Sequence, residues 1–197
     1  MTTKQPDRVW INERNASGTV TIAGNIIALQ GKTFPNDEGL EKLVIGHLIA
    51  SGDMGEAKTM LKRMTLYLHH DDFYYTRYGT IYEAMVRIVR RGDDVDTVSV
   101  ISELKSRRGN SMTALQYAGG EKAIYALTDV IPQNTETHAR AIARLSLKRS
   151  GKLFAQLMDR LCDREDSSVA YLSQQFHSLY QDFNARVSSL SHVTAHY

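Results

Sequence analysis

Two short segments contain residue types that bind phosphate or metal ions. The first, residues 31–33, reads Gly-Lys-Thr. A P-loop, whose backbone amides surround a phosphate, ends in these three residues. A P-loop also needs a glycine five positions before that Gly, but Ile26 stands there. Phe34 and Pro35 follow where the loop should run into a helix. We therefore interpret this segment as a turn leaving a strand and predict no nucleotide site in it.

The second segment, residues 69–72, reads His-His-Asp-Asp. Adjacent residues on a helix point about 100° apart, so four in a row cannot converge as four ligands, and metal-binding helices use spacings such as i, i+4. We interpret it as a polar loop and predict no metal site. Cys162 is the one cysteine and has no CxxC partner. Its position late in an amphipathic helix is typical of a small core residue, and we predict no catalytic residue in the chain.

Composition limits the class of protein. The 197 residues are 42% hydrophobic and 23% charged, which indicates one sizeable folded domain with an appendage. The net charge of +2 disfavours electrostatic capture of nucleic acid by the whole domain, because such capture needs a basic face. A single cysteine fits a reducing compartment. No run approaches the ~18 apolar residues of a membrane span, so we expect a cytoplasmic protein without a membrane partner.

Hydrophobic spacing predicts a nearly all-α fold. Residues 1–34 form an N-terminal arm, in which the β-branched stretch 17–31 predicts one or two short strands or an extended segment. Beyond Pro35, apolar residues recur at three- and four-residue spacing. The predicted helices cover about 38–49, 54–68, 78–91, 97–107, 121–130, 134–164 and 169–188. We expect a helical globule over 35–133, a hairpin helix over 134–165, and a second hairpin or linker helix with a tail over 166–197.

The long helix from residue 134 carries four cations on one side. Arg140, Arg144, Lys148 and Lys152 follow one another at four-residue steps. Like charges at that spacing repel weakly, so an acidic partner would relieve them. Two interpretations remain open: a solvated face, and a docking surface for an acidic protein or a nucleic-acid backbone. The last helix carries a broad apolar stripe with several aromatic residues, which predicts docking onto this domain or onto another chain.

An ordered series of residues resembles the N-terminal domain of DnaB-type replicative DNA helicases between Pro35 and Arg149. The series comprises Pro35, Glu41, Val44, Ile45 and Gly46; Asp72, Phe73 and Tyr74; Ile81 and Tyr82; Gly92, Val95, Asp96, Ser99 and Val100; Gly119, Gly120, Tyr125, Leu127, Pro132, Asn134, Ala139 and Arg149. The sequence departs from the family pattern at Lys42, Tyr78, Gly79 and Asp94, and its turn after Pro132 is shorter. These departures affect local surfaces more than the fold.

The resemblance implies a helical globule with a C-terminal hairpin and a linker helix that leads into a RecA-type ATPase. In that family the domains pair through their hairpins, and three pairs form a collar on a hexameric ring that recruits primase and the helicase loader. This chain would then be non-catalytic and hold no cofactor, because ATP and Mg²⁺ belong to the motor domain of the parent it resembles. Its partners would be a second copy, primase and loader, with DNA contacted weakly or indirectly.

Three groups of residues are candidates for these roles. The expected oligomer interface includes Leu145, Leu153, Leu157 and Leu161. The cations Arg140, Arg144, Lys148 and Lys152 are candidates for docking a partner or DNA. The residues expected to dock the linker helix are Leu172, Phe176, Leu179 and Phe183.

Two alternatives stay open. The arm lies outside the resembling segment, so the chain also fits a free-standing adaptor, loader or inhibitor that inserts into a helicase ring through the same fold. A small metal- or nucleotide-dependent enzyme would rest only on the Gly-Lys-Thr and His-His-Asp-Asp segments.

Overall fold

Eight α-helices follow a short β-hairpin along the described part of the chain. The computed structural model describes residues 19–22, 25–28, 34–53, 55–109, 112–130, 133–163 and 168–194. The strands are β1 (Thr19–Ile22) and β2 (Asn25–Ala28). The helices are α1 (Glu38–Asp53), α2 (Ala57–Met64), α3 (Thr76–Arg91), α4 (Thr97–Ser106), α5 (Ala114–Tyr117), α6 (Gly120–Leu127), α7 (Thr135–Cys162) and α8 (Val169–Thr194), with a 3-10 turn at His70–Asp72. The predicted helical fold is confirmed.

The strands of the arm pair with each other. β1 and β2 run antiparallel, from Thr19 opposite Ala28 to Ile22 opposite Asn25. The prediction of one or two short strands in residues 17–31 therefore holds, whereas the Gly-Lys-Thr segment at 31–33 lies outside the described residues.

Helix ends follow local hydrogen-bonding chemistry. Asp96 caps α4: its carboxylate accepts from the Ser99 backbone N–H at 2.6 Å, and its own N–H donates to Ser99 Oγ at 2.9 Å. At the end of α2 the prediction was one turn too long. There the N–H groups of Leu66 and Tyr67 bond three residues back, and Thr65 Oγ1 donates to the Lys62 carbonyl. These bonds tighten the chain and end the α-helix at Met64.

The core is built around α1. Val44, Ile45, Leu48 and Ile49 have no exposed surface, and α1 contacts α2, α3, α4, α6 and α7. Gly46 permits the close approach of α6, because a Cβ there would collide with the backbone carbonyl of Leu127. The apolar spacing of α1 thus places one helix in the middle of the others.

Candidate protein-interaction surface

One side of α7 is buried against the globule. Its buried residues recur mainly at steps of three or four residues: Thr135, Ala139, Ile142, Ala143, Ser146, Arg149 and Leu153. That spacing produces a continuous stripe along a helix, which we call the α7 seam. It runs from the first turn of α7 to Leu153, beyond the middle of the helix.

Two polar residues in the α7 seam bind the turn before α3. Ser146 Oγ donates to Asp72 Oδ1 at 2.7 Å, and the buried Arg149 guanidinium donates to the backbone carbonyls of Asp72 and, at 2.8 Å, Pro35. The Arg149 guanidinium also lies 5.7 Å from the centre of the Tyr74 ring. Because buried polar groups are costly unless hydrogen-bonded, these contacts fix the position of α7 on the globule.

Glu41 of α1 completes this buried polar cluster. Its carboxyl oxygens accept from the backbone N–H groups of Tyr74 at 2.7 Å and Tyr75 at 3.1 Å, just before α3 begins. Only 1% of Glu41 is exposed. Burial raises the pKa of Glu41 to about 7, while the two N–H bonds and the nearby Arg149 limit the rise.

The roles of these polar residues were not predicted, although a sequence signal for them exists. Glu41 precedes Val44 and Leu48 by three and seven residues, so it belongs to the apolar face of α1. Arg149 follows Lys148 and falls out of step with the four-residue cation series. A charged residue at a core position of an amphipathic helix indicates a buried hydrogen-bonded site.

α8 packs against α7 to form a hairpin. The rings of Phe154 and Phe183 stack with centroids 5.1 Å apart, and Phe183 also faces Gly151, where a Cβ would make ordinary contact. The residues expected to dock the linker helix, Leu172, Phe176, Leu179 and Phe183, are all half-buried. Within the described residues, the apolar stripe of α8 therefore packs at least partly on α7 of the same chain.

The four leucines predicted for the oligomer interface do not share one face of α7. Leu153 is 5% exposed and belongs to the α7 seam. Leu157 follows it four residues later on nearly the same side, whereas Leu145 and Leu161 are sixteen residues apart and lie on nearly opposite sides at 100° per residue. Leu145, Leu157 and Leu161 are half-buried. In this fold Leu153 is part of the interior of its own chain.

The predicted row of cations is divided by its surroundings. Arg144, Lys148 and Lys152 are exposed, whereas Arg140 is half-buried with its guanidinium 5.5 Å from the centre of the Tyr67 ring. Arg140 is therefore engaged with the globule, and the outer cations form the accessible part of the row.

The structure corrects the interpretation of Cys162 and adds detail to the His-His-Asp-Asp segment. Cys162 is exposed, not a core residue, because α7 extends past the globule before it ends. In the His-His-Asp-Asp segment, the donor atoms of His69, His70 and Asp71 converge, while Asp72 turns inward to Ser146. Convergence of three neighbours is possible because His69 has an extended backbone outside the helical turn.

Comparison with known proteins identifies the family. A family model described as DnaB-like helicase N-terminal domain matches residues 33–144, more than half of the chain. The chain belongs to this family. The match covers α1 to α6 and the first part of α7. None of the described helices combines the length and apolar character that a membrane-spanning segment requires.

Relatives of the DnaB family share the same region. The replicative DNA helicase DnaB of Geobacillus stearothermophilus is 30% identical over 121 residues, covering 55% of this chain and 26% of that protein. The replicative DNA helicase DnaB of Mycobacterium leprae (strain TN) is also 30% identical over 121 residues, covering 60% of this chain and 18% of that protein. The matched segments thus span about a quarter or less of these relatives.

A solved structure has the same fold. The crystal structure of the N-terminal domain of DnaB helicase from Mycobacterium tuberculosis aligns with a TM-score of 0.63 at 24% identity, covering 77% of this chain and 99% of that one. In this DnaB-family domain, several residues of the series named from the sequence meet in the buried polar cluster: Pro35, Glu41, Asp72, Tyr74 and Arg149. Their shared role is to join α1, the turn before α3, and α7.

Proposed function

We propose that this chain is a non-catalytic collar domain of a replicative DNA helicase. In this role it pairs with a second copy through the α7–α8 hairpin and offers a docking surface to primase or the helicase loader. Support for pairing comes from the end of the hairpin beyond Leu153. Among residues 154–163 and 168–185, none is fully buried, so this length of two helices lacks the core that usually stabilises such a pair.

Apolar side chains continue along that uncovered part. Leu157 and Leu161 of α7 and Leu172 and Phe176 of α8 are half-buried, and Val169 is 84% exposed. We call these five residues the distal hairpin patch. A second copy packing on the patch would bury the same surface on both subunits, as a twofold interface requires. Leu145 and Leu153, expected at the interface from the sequence, are not included.

Sedimentation velocity of the whole chain tests the pairing. We expect the wild type to form a dimer and the Leu157→Asp and Phe176→Asp variants to sediment as folded monomers, because a buried charge opposes pairing. Leu66→Asp is the matched control, since Leu66 is 77% exposed on the globule. Leu153→Asp is unsuitable because it would place a charge in the interior. If folded Leu157→Asp and Phe176→Asp variants associate as the wild type does, the proposed interface is wrong.

Docking of primase or loader is proposed for the exposed cations of α7. Arg144 and Lys148 lie on successive turns and both are exposed, so they present two positive charges to an acidic partner. The Arg144→Glu/Lys148→Glu double variant should weaken primase or loader binding in a salt-dependent way. Lys42→Glu serves as a control, because Lys42 is an exposed cation on α1. If the double variant binds primase, loader and DNA as the wild type does, the cations are a solvated face and not a docking surface.

The β1–β2 hairpin supports a second candidate function. It precedes the segment matched by the family model, and an added element of this kind suits an adaptor, loader or inhibitor that inserts into a helicase ring. Adding the purified chain to a DnaB-type hexameric helicase discriminates between the functions. An adaptor or inhibitor changes unwinding at stoichiometric amounts, whereas a collar domain leaves the assembled ring unaffected.

A further inference from the structure

The turn between α2 and α3 gathers three side chains that are common metal ligands. His69 Nδ1 lies 3.0 Å from Asp71 Oδ2, and His70 Nε2 lies 3.1 Å from Asp71 Oδ1. One donor atom from each of the three residues lies within 4.8 Å of the others. The backbone makes this possible, since His69 is extended with φ −115° and ψ 159° and only residues 70–72 form the 3-10 turn.

The same turn is held in place by the buried polar cluster. Asp72 Oδ2 accepts from the His69 backbone N–H at 2.7 Å, and Asp72 Oδ1 accepts from Ser146 Oγ at 2.7 Å. On the other side, the His70 carbonyl lies so close to Gly79 that a Cβ there would collide with it. Because the backbone of the turn is fixed from both sides, a bound ion would cost little additional conformational entropy.

We propose that His69, His70 and Asp71 form a binding site for a divalent transition-metal ion, with Zn²⁺ as the probe. Two imidazole nitrogens and one carboxylate oxygen suit zinc, whereas Mg²⁺ and Ca²⁺ prefer oxygen ligands alone. Ligand atoms about 2.0–2.2 Å from zinc in a tetrahedron are about 3.3–3.5 Å apart. The three donor atoms lie within 4.8 Å of one another, so binding requires the most widely separated pair to close from at most that distance to about 3.3–3.5 Å.

Binding changes the hydrogen bonds within the triad. A ring nitrogen that donates to Asp71, His69 Nδ1 or His70 Nε2, must lose its hydrogen before it can bind the metal. Its hydrogen then resides on the opposite ring nitrogen, as neutral imidazole permits. Three protein ligands leave a fourth tetrahedral position for water or for a donor from another molecule.

Isothermal titration of the untagged chain with Zn²⁺ tests the site. We expect one equivalent to bind with a micromolar dissociation constant, and Mg²⁺ to give no saturable heat. His69→Ala and Asp71→Asn should each weaken zinc binding at least about tenfold, the scale on which changes around metal sites act. His177→Ala is the matched control, because His177 is an exposed histidine on α8, and it should bind zinc as the wild type does.

Thermal unfolding provides a second readout. Zn²⁺ that binds the folded state raises the midpoint of unfolding, so the wild type and His177→Ala should be stabilised and His69→Ala should not. His69→Ala keeps the backbone N–H that bonds Asp72, so this variant is expected to fold. Absence of saturable zinc binding, or wild-type affinity in His69→Ala, would overturn the proposal.

Discussion

Replacing Glu41 with glutamine should remove a pH dependence of stability that originates in the buried polar cluster. Burial raises the pKa of this carboxyl group from an ordinary 4.5 to about 7. Between those pH values the folded protein therefore holds a proton that the unfolded chain releases. The free energy of unfolding of the wild type then falls as pH rises through this range, and the contribution is lost once pH passes the folded-state pKa.

The magnitude follows from the difference between the two pKa values. Each pKa unit corresponds to about 1.4 kcal/mol, so the group contributes about 3 kcal/mol at low pH that is absent well above neutrality. Most of this change falls between about pH 4.5 and 7, the two pKa values of the group. Glu41→Gln carries no titrating group, although one of the N–H groups of Tyr74 and Tyr75 loses its acceptor. Its stability is therefore lower at acidic pH and independent of this proton.

Urea unfolding followed by circular dichroism at a series of pH values measures the effect. The informative quantity is the wild-type free energy of unfolding minus that of Glu41→Gln, because histidines titrate in both proteins and cancel in the difference. His47, for example, has its pKa lowered by burial and by neighbouring His138 in both proteins. We expect the difference to shrink as pH rises. A difference that stays constant from acidic to basic pH would refute the reasoning about Glu41.

Three further changes have expected outcomes. Arg149→Ala should cost about 3 kcal/mol or more in urea unfolding, because the buried carbonyl of Asp72 and the half-buried carbonyl of Pro35 lose their donor. Gly46→Ala should cost about 1–3 kcal/mol in the same assay, since its Cβ collides with the Leu127 carbonyl; unchanged stability would contradict that close packing. Phe183→Ala removes a stack with Phe154 worth about 0.5–1.5 kcal/mol. It should speed hydrogen exchange in α8 but not in α1.

The helices were predictable because their causes are local. The spacing of apolar residues located α1 and α3. Asp96, the residue before α4, is of a type that is common at helix N-caps. The overrun at the end of α2 arose because Leu66 and Tyr67 make 3-10 bonds while the apolar spacing continues to Leu68. The spacing of apolar residues indicates which side chains face the core, but it does not indicate where 3-10 hydrogen bonds replace α-helical ones.

The surfaces were less predictable because they depend on distant parts of the chain. Leu153 and Leu157 lie one helical turn apart on nearly the same side of α7, yet the first is buried and the second is half-buried. The difference arises because the globule ends between them. Cys162 lies past that end and is exposed for the same reason. The convergence of His69 and Asp71 depends on one extended residue, which the order of side chains alone does not specify.

Sedimentation equilibrium of the unmodified chain, from low micromolar to submillimolar concentration, tests most directly whether the distal hairpin patch is an interface between copies. A concentration-dependent shift from the monomer mass to twice that mass is predicted, because the helices beyond Leu153 contain no fully buried residue in the described part of the chain. A single monomer mass across the whole range would contradict the collar role proposed for this domain.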